Sequence, residues 1–140
     1  MGNVSVIGRL GIESGICGDV DEQIAKALNL QVAWPNVKFE PPADGSSWLQ
    51  VTVRTGESEI IETGLVRTFR TAGVLFVNVY GALGRGNAAC MAIADVVLRR
   101  YRARTIAGVN FLGSNANDGD VENGWWVVKV QCPFYADEIE

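Results

Sequence analysis

The chain has 140 residues, of which 48% are hydrophobic and 20% charged, and such a composition is typical of one globular domain. Its formal net charge of −4 argues against tight, non-specific nucleic-acid binding by the whole surface, which requires a basic face. The sequence lacks histidine, the commonest general base and zinc ligand. Because Cys17, Cys90 and Cys132 are widely spaced, we expect free buried thiols rather than a disulfide framework or a zinc site.

Glycine is frequent at the start of the chain, where five glycines lie within residues 1–18. Each glycine inside a helix costs about 1 kcal/mol relative to alanine. We therefore expect residues 1–18 to form a flexible N-terminal arm, with a short strand at Val4–Ile7. A first helix is predicted over Val20–Leu30, and Asp19 and Glu22 have the spacing of a capping box at its start.

Apolar and polar residues alternate along Trp48–Thr55, which predicts a strand with one wet face. The polar stretch Gly56–Glu59 predicts a turn after it. Val66–Arg70 and Val74–Tyr80 flank a glycine and predict an antiparallel pair of strands. The second of these strands is apolar on both faces, so we expect it to lie at the centre of the sheet.

The second half of the chain predicts one long helix and one long strand. Periodic apolar residues predict the helix over Asn87–Arg102, with Asn87 as its N-cap. The segment Ser114–Gly124, which is rich in Asn, Asp and Gly, predicts a loop. Alternation along Trp125–Tyr135 predicts a final strand, whose apolar face carries Trp126.

Together these elements predict an α+β fold, in which a mostly antiparallel sheet of four to six strands packs with two main helices. The single domain is expected to span residues 19–136, between the arm at 1–18 and an acidic tail at 137–140. No apolar run approaches the roughly 18 residues of a membrane-spanning helix. We therefore expect no membrane association.

A glycine loop between strand and helix suggests a first function. Gly84, Gly86 and Ala89 match the Gly-x-Gly-x-x-Ala spacing of dinucleotide-binding loops. Such a site also needs an acidic residue about 20 residues further on, and Thr105–Ser114 contains none. A simple strand-to-helix connection is therefore favoured, and a small nucleotide-binding enzyme using the Gly81–Gly86 loop stays an alternative.

Five pieces of the sequence carry a resemblance when they are taken in order. The pieces are Trp34–Pro42, Trp48–Val51, Gly73–Tyr80, Gly84–Gly86 with Ala94–Asp95, and Gly124–Val130. Over roughly Val20 to Tyr135, their order and spacing resemble those of the tail terminator proteins of long-tailed bacteriophages. Residues 1–18 depart from the family pattern, in which a helix starts nearer the N-terminus.

The resemblance implies a structural virion protein that has no catalytic activity and no cofactor. Proteins of this family are small α+β domains that form a ring, usually a hexamer, on the head-proximal end of the tail tube. The ring stops tube growth and offers a surface for joining the head. The implied partners are further copies of the chain, the tail tube protein and the head–tail joining protein, assembled in the host cytoplasm. DNA would pass through the ring without specific binding. An accessory protein-binding domain is a further alternative.

Exposed polar residues beside apolar strands are candidate contacts, because strands with one wet face can pair edge to edge or meet a neighbour. We expect the Thr55–Leu65 hairpin and the strand after it to contact neighbouring subunits or the tube. The interface residues proposed on this basis, with an exposed tryptophan as a rim anchor, are Glu57, Glu59, Arg67, Arg70 and Trp125. Candidate contacts for DNA or an acidic partner crowd the end of the second helix: Arg99, Arg100, Arg102 and Arg104.

Overall fold

A curled, mostly antiparallel sheet with helices against one face makes up the fold, seen in a computed structural model that describes residues 8–64 and 66–139. The helical stretches are α1 (Arg9–Val20), a π-helical segment (Asp21–Ala25), α2 (Lys26–Leu28) and α3 (Ala88–Tyr101). The strands are β1 (Gln31–Ala33), β2 (Trp48–Glu62), β3 (Thr68–Ala82), β4 (Thr105–Ile106), β5 (Val109–Phe111), β6 (Asn115–Ala116), β7 (Asp120–Glu122) and β8 (Trp125–Ile139).

Six of these strands follow one another across the sheet in the order β1-β2-β3-β8-β5-β4, and β6 and β7 add to β8. Only β1 and β2 pair in parallel; the other pairings among the described strands are antiparallel. This arrangement confirms the predicted α+β fold and the antiparallel sheet with its two main helices.

Three strands of 15 residues each, β2, β3 and β8, form the centre of the sheet. Val51, Val77 and Val130 lie side by side across them, and each is at most 1% exposed. Burial of an aliphatic side chain stabilises a fold by roughly 1.5–3 kcal/mol, so this apolar face holds the sheet to the helices. β3 is the central strand, as its apolar character on both faces predicts.

The structure corrects the flexible arm predicted over residues 1–18 for the part that it describes. From Arg9 onward this segment is helical, and Ile12, Ile16 and Val20 are fully buried at a spacing of four residues. Burying this stripe contributes more free energy than the segment's glycines cost in helix propensity. The predicted strand at Val4–Ile7 lies outside the described residues.

The predicted capping box is also wrong, because Asp19 and Glu22 lie inside a continuous helical stretch. The helix ends at Asn29, whose left-handed backbone conformation (φ 55°) closes it. The predicted helix over Val20–Leu30 is therefore the second half of a helical segment that begins eleven residues earlier.

The outer part of the β2–β3 hairpin differs from its prediction. β2 does not turn at Gly56–Glu59 but continues to Glu62, with a register shift between Thr55 and Ser58. The two strands predicted around Gly73 form the single strand β3. At Gly73 a Cβ atom would lie 2.6 Å from the ring of Phe134, so this glycine lets an aromatic ring cover the strand. It does not mark a turn.

Two further polar segments that were predicted without regular structure belong to the sheet. The predicted loop Ser114–Gly124 contains the short strands β6 and β7. The predicted acidic tail at 137–140 is part of β8 as far as Ile139, because it pairs with β3 down to the register Thr68↔Ile139. Polar residues here are compatible with a strand because one side of the sheet faces water.

Candidate functional site

The outer end of β2 is an exposed strand with a free edge. Residues 56–62, which we call the acidic edge strand, are all exposed and carry three glutamates. On one side they pair with β3, and on the other side β1 reaches only residues 48–50, so no described strand covers this edge. Unpaired N–H and C=O groups along such an edge can pair with another chain. Ile60 and Ile61 add exposed apolar surface, at 56% and 44% exposure.

Arg70 makes an ion pair inside the chain. Its guanidinium donates two hydrogen bonds to the carboxylate of Asp137, at 2.8 Å and 3.0 Å, and lies 4.2 Å from the ring centre of Tyr135. The bond from Arg70 holds the pKa of the Asp137 carboxyl below its usual range. Arg70 thus ties β3 to β8. Arg67 lies exposed in the turn before β3 and forms no ion pair with any described residue.

The arginines at the end of α3 divide into two kinds. Arg100 pairs with Asp19 of α1 at 2.7 Å, and the Asp19 side chain is only 12% exposed. The hydroxyl of Tyr101 donates to the same carboxylate at 2.7 Å. Burial, with a smaller contribution from Asp19, raises the pKa of Tyr101 strongly. The remaining arginines are exposed and form no ion pair within the described part of the chain; we call them the basic corner: Arg99, Arg102 and Arg104.

Aromatic side chains pack on the sheet face opposite the helices. Trp48 stacks on Tyr80 with ring centres 4.1 Å apart, and Trp125 meets Trp48 edge-on at 5.7 Å. Phe39 lies 5.0 Å from Trp48 on the other side. Trp125, which was expected to be an exposed rim anchor, is half-buried in this cluster. Its indole ring packs against Trp48 of the same chain.

The glycine loop is a tight connection held by a tryptophan. Gly84 and Gly86 have positive φ angles of 81° and 79°, which glycine adopts without strain. Asn87, the predicted N-cap, caps nothing with its side chain; its Oδ1 accepts a hydrogen bond from Trp126 Nε1 at 2.6 Å. β3, which precedes the loop, is antiparallel to both neighbours, whereas a dinucleotide site requires parallel strands around the helix.

The described part of the chain offers neither a metal site nor a membrane-spanning helix. Across residues 8–64 and 66–139, cysteine, aspartate and glutamate form no group of three or more that could hold a metal ion. No described helix combines the length and apolar character that a membrane span requires. What the molecule presents is exposed sheet edge, exposed charge and a packed aromatic face.

Comparison with known proteins identifies the family. Residues 16–134 match a family described as phage tail terminator protein. The chain belongs to the phage tail terminator family. This confirms the resemblance carried by the five sequence pieces, and it makes the chain a structural component of a phage tail. Membership also implies association with the tail tube.

Two other comparisons bear on this family member. No curated protein matches its sequence. A solved structure with 20% sequence identity superposes with a TM-score of 0.70, covering 93% of this chain and 96% of the other. That superposition shows a shared fold over almost the whole of both chains.

In this tail terminator family member the predicted contact residues fall in different places. Glu57 and Glu59 lie on the acidic edge strand, and Arg67 lies in the turn beside it. Arg70 lies opposite Glu59 across β2 and β3, with its guanidinium engaged by Asp137, whereas Trp125 lies at the opposite end of β8, in the aromatic cluster. The structure therefore brings together four of the five proposed interface residues.

Sequence reasoning missed two features of this surface. The exposed pair Ile60–Ile61 lies within the acidic edge strand, and an apolar pair between glutamates was a signal that could have been used. Asp19 was assigned to a cap, and nothing in its local sequence indicates that it binds Arg100, which is 81 residues away. Such a pairing follows from the contact of two helices through the core.

Proposed function

We propose that six copies of this protein form a ring that closes the head-proximal end of the phage tail tube. The ring stops tube growth and offers the surface that joins the head. The observation that carries the proposal is the family match over residues 16–134. The partners on this proposal are further copies of the chain, the tail tube protein and the head–tail joining protein.

The exposed acidic edge strand supports assembly into a ring. In a closed ring each subunit contributes two different surfaces, one to each neighbour. An uncovered strand edge with two exposed isoleucines is suited to such a contact, since it offers backbone hydrogen bonds and apolar area together. Once a ring covers the end of the tube, the surface of the tube to which the next tube subunit would bind is occupied.

The charge of the chain supports a passive channel. Its net charge is −4, and an acidic ring would let DNA slide through without adhering, because adhesion requires neutralisation of phosphates by basic residues. We assign the acidic edge strand to the contact between subunits, and Arg67, in the turn after that strand, to the contact with the tube. The Arg70 guanidinium is given no contact role, because it is engaged by Asp137 within the same chain.

The test is addition of the purified protein to a lysate of phage-infected cells that lacks the terminator. We expect tails of uniform length that join heads, seen by electron microscopy and by recovery of infectious particles. Overlong tubes that persist, with no joined heads, would overturn the proposal.

A variant pair locates the contact. Arg67→Glu is expected to lower capping, while Lys38→Glu makes the same charge change at an exposed loop residue elsewhere and is expected to cap normally. Arg70→Glu is a poor probe, since it would place a carboxylate against Asp137 and weaken the fold. Equal capping by Arg67→Glu and Lys38→Glu would remove Arg67 from the contact.

A further inference from the structure

Two exposed patches of opposite charge lie on separate parts of the molecule, one at the outer end of β2 and the other between the end of α3 and β4. We propose that the acidic edge strand of one copy docks on the basic corner of the next copy around the ring. This inference rests on the proposed function, because it assigns the two surfaces by which ring neighbours meet. The partner it commits to is a second copy of this chain.

The acidic edge strand offers charge that is free to act outside the chain. Glu57 and Glu59 form no ion pair with any residue in the described ranges. Glu62 accepts a hydrogen bond from the Thr68 hydroxyl at 2.9 Å, which keeps its carboxylate at the end of the strand. Ile60, at 56% exposure, supplies an apolar centre between these charges.

The basic corner is a rigid surface of matching character. The backbone N–H of Ala103 donates to the carbonyl of Leu112 at 2.9 Å, and the N–H of Phe111 donates to the carbonyl of Arg104 at 2.7 Å. These bonds hold the chain around Arg102 and Arg104 against β5. Leu112, which is 48% exposed, gives the corner an apolar residue beside its arginines. The two patches therefore match in both charge and apolar content.

The two patches belong to different parts of the strand order. In the order β1-β2-β3-β8-β5-β4, β2 lies near one edge of the sheet, and β4, which directly follows Arg104, lies at the other edge. Because the sheet curls, both of these strands contact α1, and the two patches are separate surfaces of one subunit. A contact between the acidic edge strand of one copy and the basic corner of the next therefore uses two different surfaces, as a closed ring requires.

Other pairings of the acidic edge strand bring like charges together. Against a second β2 strand, glutamates would oppose glutamates. Against the outer end of β8, they would oppose Asp137 and Glu138. Like charges directly opposite each other destabilise strand pairs, so among the described surfaces the basic corner is the favoured partner.

The test uses two charge-reversed variants, separately and mixed. In one, Glu57→Lys is combined with Glu59→Lys; in the other, Arg102→Glu is combined with Arg104→Glu. Each variant alone brings like charges together at every contact, and we expect its capping of tubes in a terminator-deficient lysate to fall by about tenfold or more. In an equimolar mixture, an alternating ring has opposite charges at every contact, and capping is expected to return.

A folding control separates loss of docking from loss of structure. Urea denaturation of each variant checks that its fold is intact, and Lys38→Glu combined with Glu40→Lys serves as a double reversal of unchanged net charge on an exposed loop. Normal capping by both single variants would overturn the docking while leaving the proposed function in place. Loss without restoration in the mixture would also overturn it and would direct the basic corner to DNA or the tube. Failure of the wild-type chain to cap would overturn the proposed function, and this inference with it.

Discussion

The guanidinium of Arg100, at the end of α3, donates two hydrogen bonds to the carboxylate of Asp19 in α1, at 2.7 Å and 3.1 Å. The Tyr101 hydroxyl completes the cluster with a hydrogen bond of 2.7 Å to the same carboxylate. This cluster joins the helix that opens the described chain to the helix that carries the basic corner. The orientation of that corner therefore depends on the packing of α1.

Removal of the Asp19 carboxylate should destabilise the fold. We expect Asp19→Asn to lower the free energy of unfolding by about 2–3 kcal/mol, because it leaves a largely buried cation and a buried hydroxyl without their charged acceptor. Urea denaturation measures the change. Asp21→Asn is the matched control, since Asp21 meets Lys26 at 3.4 Å on an exposed surface and such pairs contribute about 0–1 kcal/mol. Equal effects of the two variants would contradict the structural role of Asp19.

Two glycine-to-alanine variants should change stability in opposite directions. At Gly73 an added Cβ would collide with the carbonyl oxygen of Arg54 and lie 2.6 Å from the Phe134 ring, so Gly73→Ala should cost about 1–3 kcal/mol through overpacking. At Gly18, inside α1, an added Cβ meets nothing within 4 Å, and Gly18→Ala should stabilise by about 0.5–1 kcal/mol through helix propensity. Thermal or urea unfolding compares them. A destabilising Gly18→Ala would argue against a helix at that position.

The parts of the fold that local patterns encode could be predicted from the sequence. The apolar alternation of β2 around Val51, of β3 around Val77 and of β8 around Val130 identifies three central strands, because alternation is a property of each strand alone. The helix α3 follows in the same way from its periodic apolar residues, of which Val97 and Tyr101 are fully buried.

The rest depends on partners that are distant in sequence. The first part of the acidic edge strand, Gly56–Glu59, is polar throughout and resembles a turn in sequence, yet it belongs to a strand that pairs with β3. α1 is rich in glycine, and only its burial against the sheet explains why it is helical. For the candidate site, the exposure of Glu57 and Glu59 was predictable from polarity. The engagement of Arg70 by Asp137 and of Arg100 by Asp19 was not, since those contacts span 67 and 81 residues.

The ion pair between Arg70 and Asp137 should make stability depend on pH in the acid range. Because Arg70 lowers the pKa of Asp137 in the folded chain, the pair stabilises the fold above the ordinary aspartate pKa of 3.8, and this contribution is lost as the pH falls through the lowered value. Asp137→Asn should remove that part of the pH dependence. Urea midpoints between about pH 6 and pH 2 measure it. Arg70→Met should give the same flattened profile, and a wild-type profile in both variants would contradict the pairing.

The cysteines should react slowly in the folded protein. Burial raises the thiol pKa of Cys17 and of Cys132 to about 11, from an ordinary value of 9.0, so the reactive thiolate is about 100-fold scarcer near pH 8. Cys90 is buried as well, and its pKa is also raised. We expect a thiol reagent such as DTNB to modify the native chain at least that much more slowly than the chain in concentrated urea.

The order of reaction among the thiols tests the packing of α1 directly. Cys17 lies on α1 and is partly exposed, whereas Cys90 and Cys132 are buried in the core, so Cys17 should react first. Cys17→Ser should therefore abolish the fastest phase and leave the two slower ones. Because a raised folded-state pKa stabilises the fold below the unfolded thiol pKa, stability should also decline as the pH rises from about 9 towards 11. If residues 9–18 were a flexible arm, Cys17 would instead react at the rate of the unfolded chain. The alkaline loss of stability would then not depend on Cys17, and Cys17→Ser would leave it unchanged.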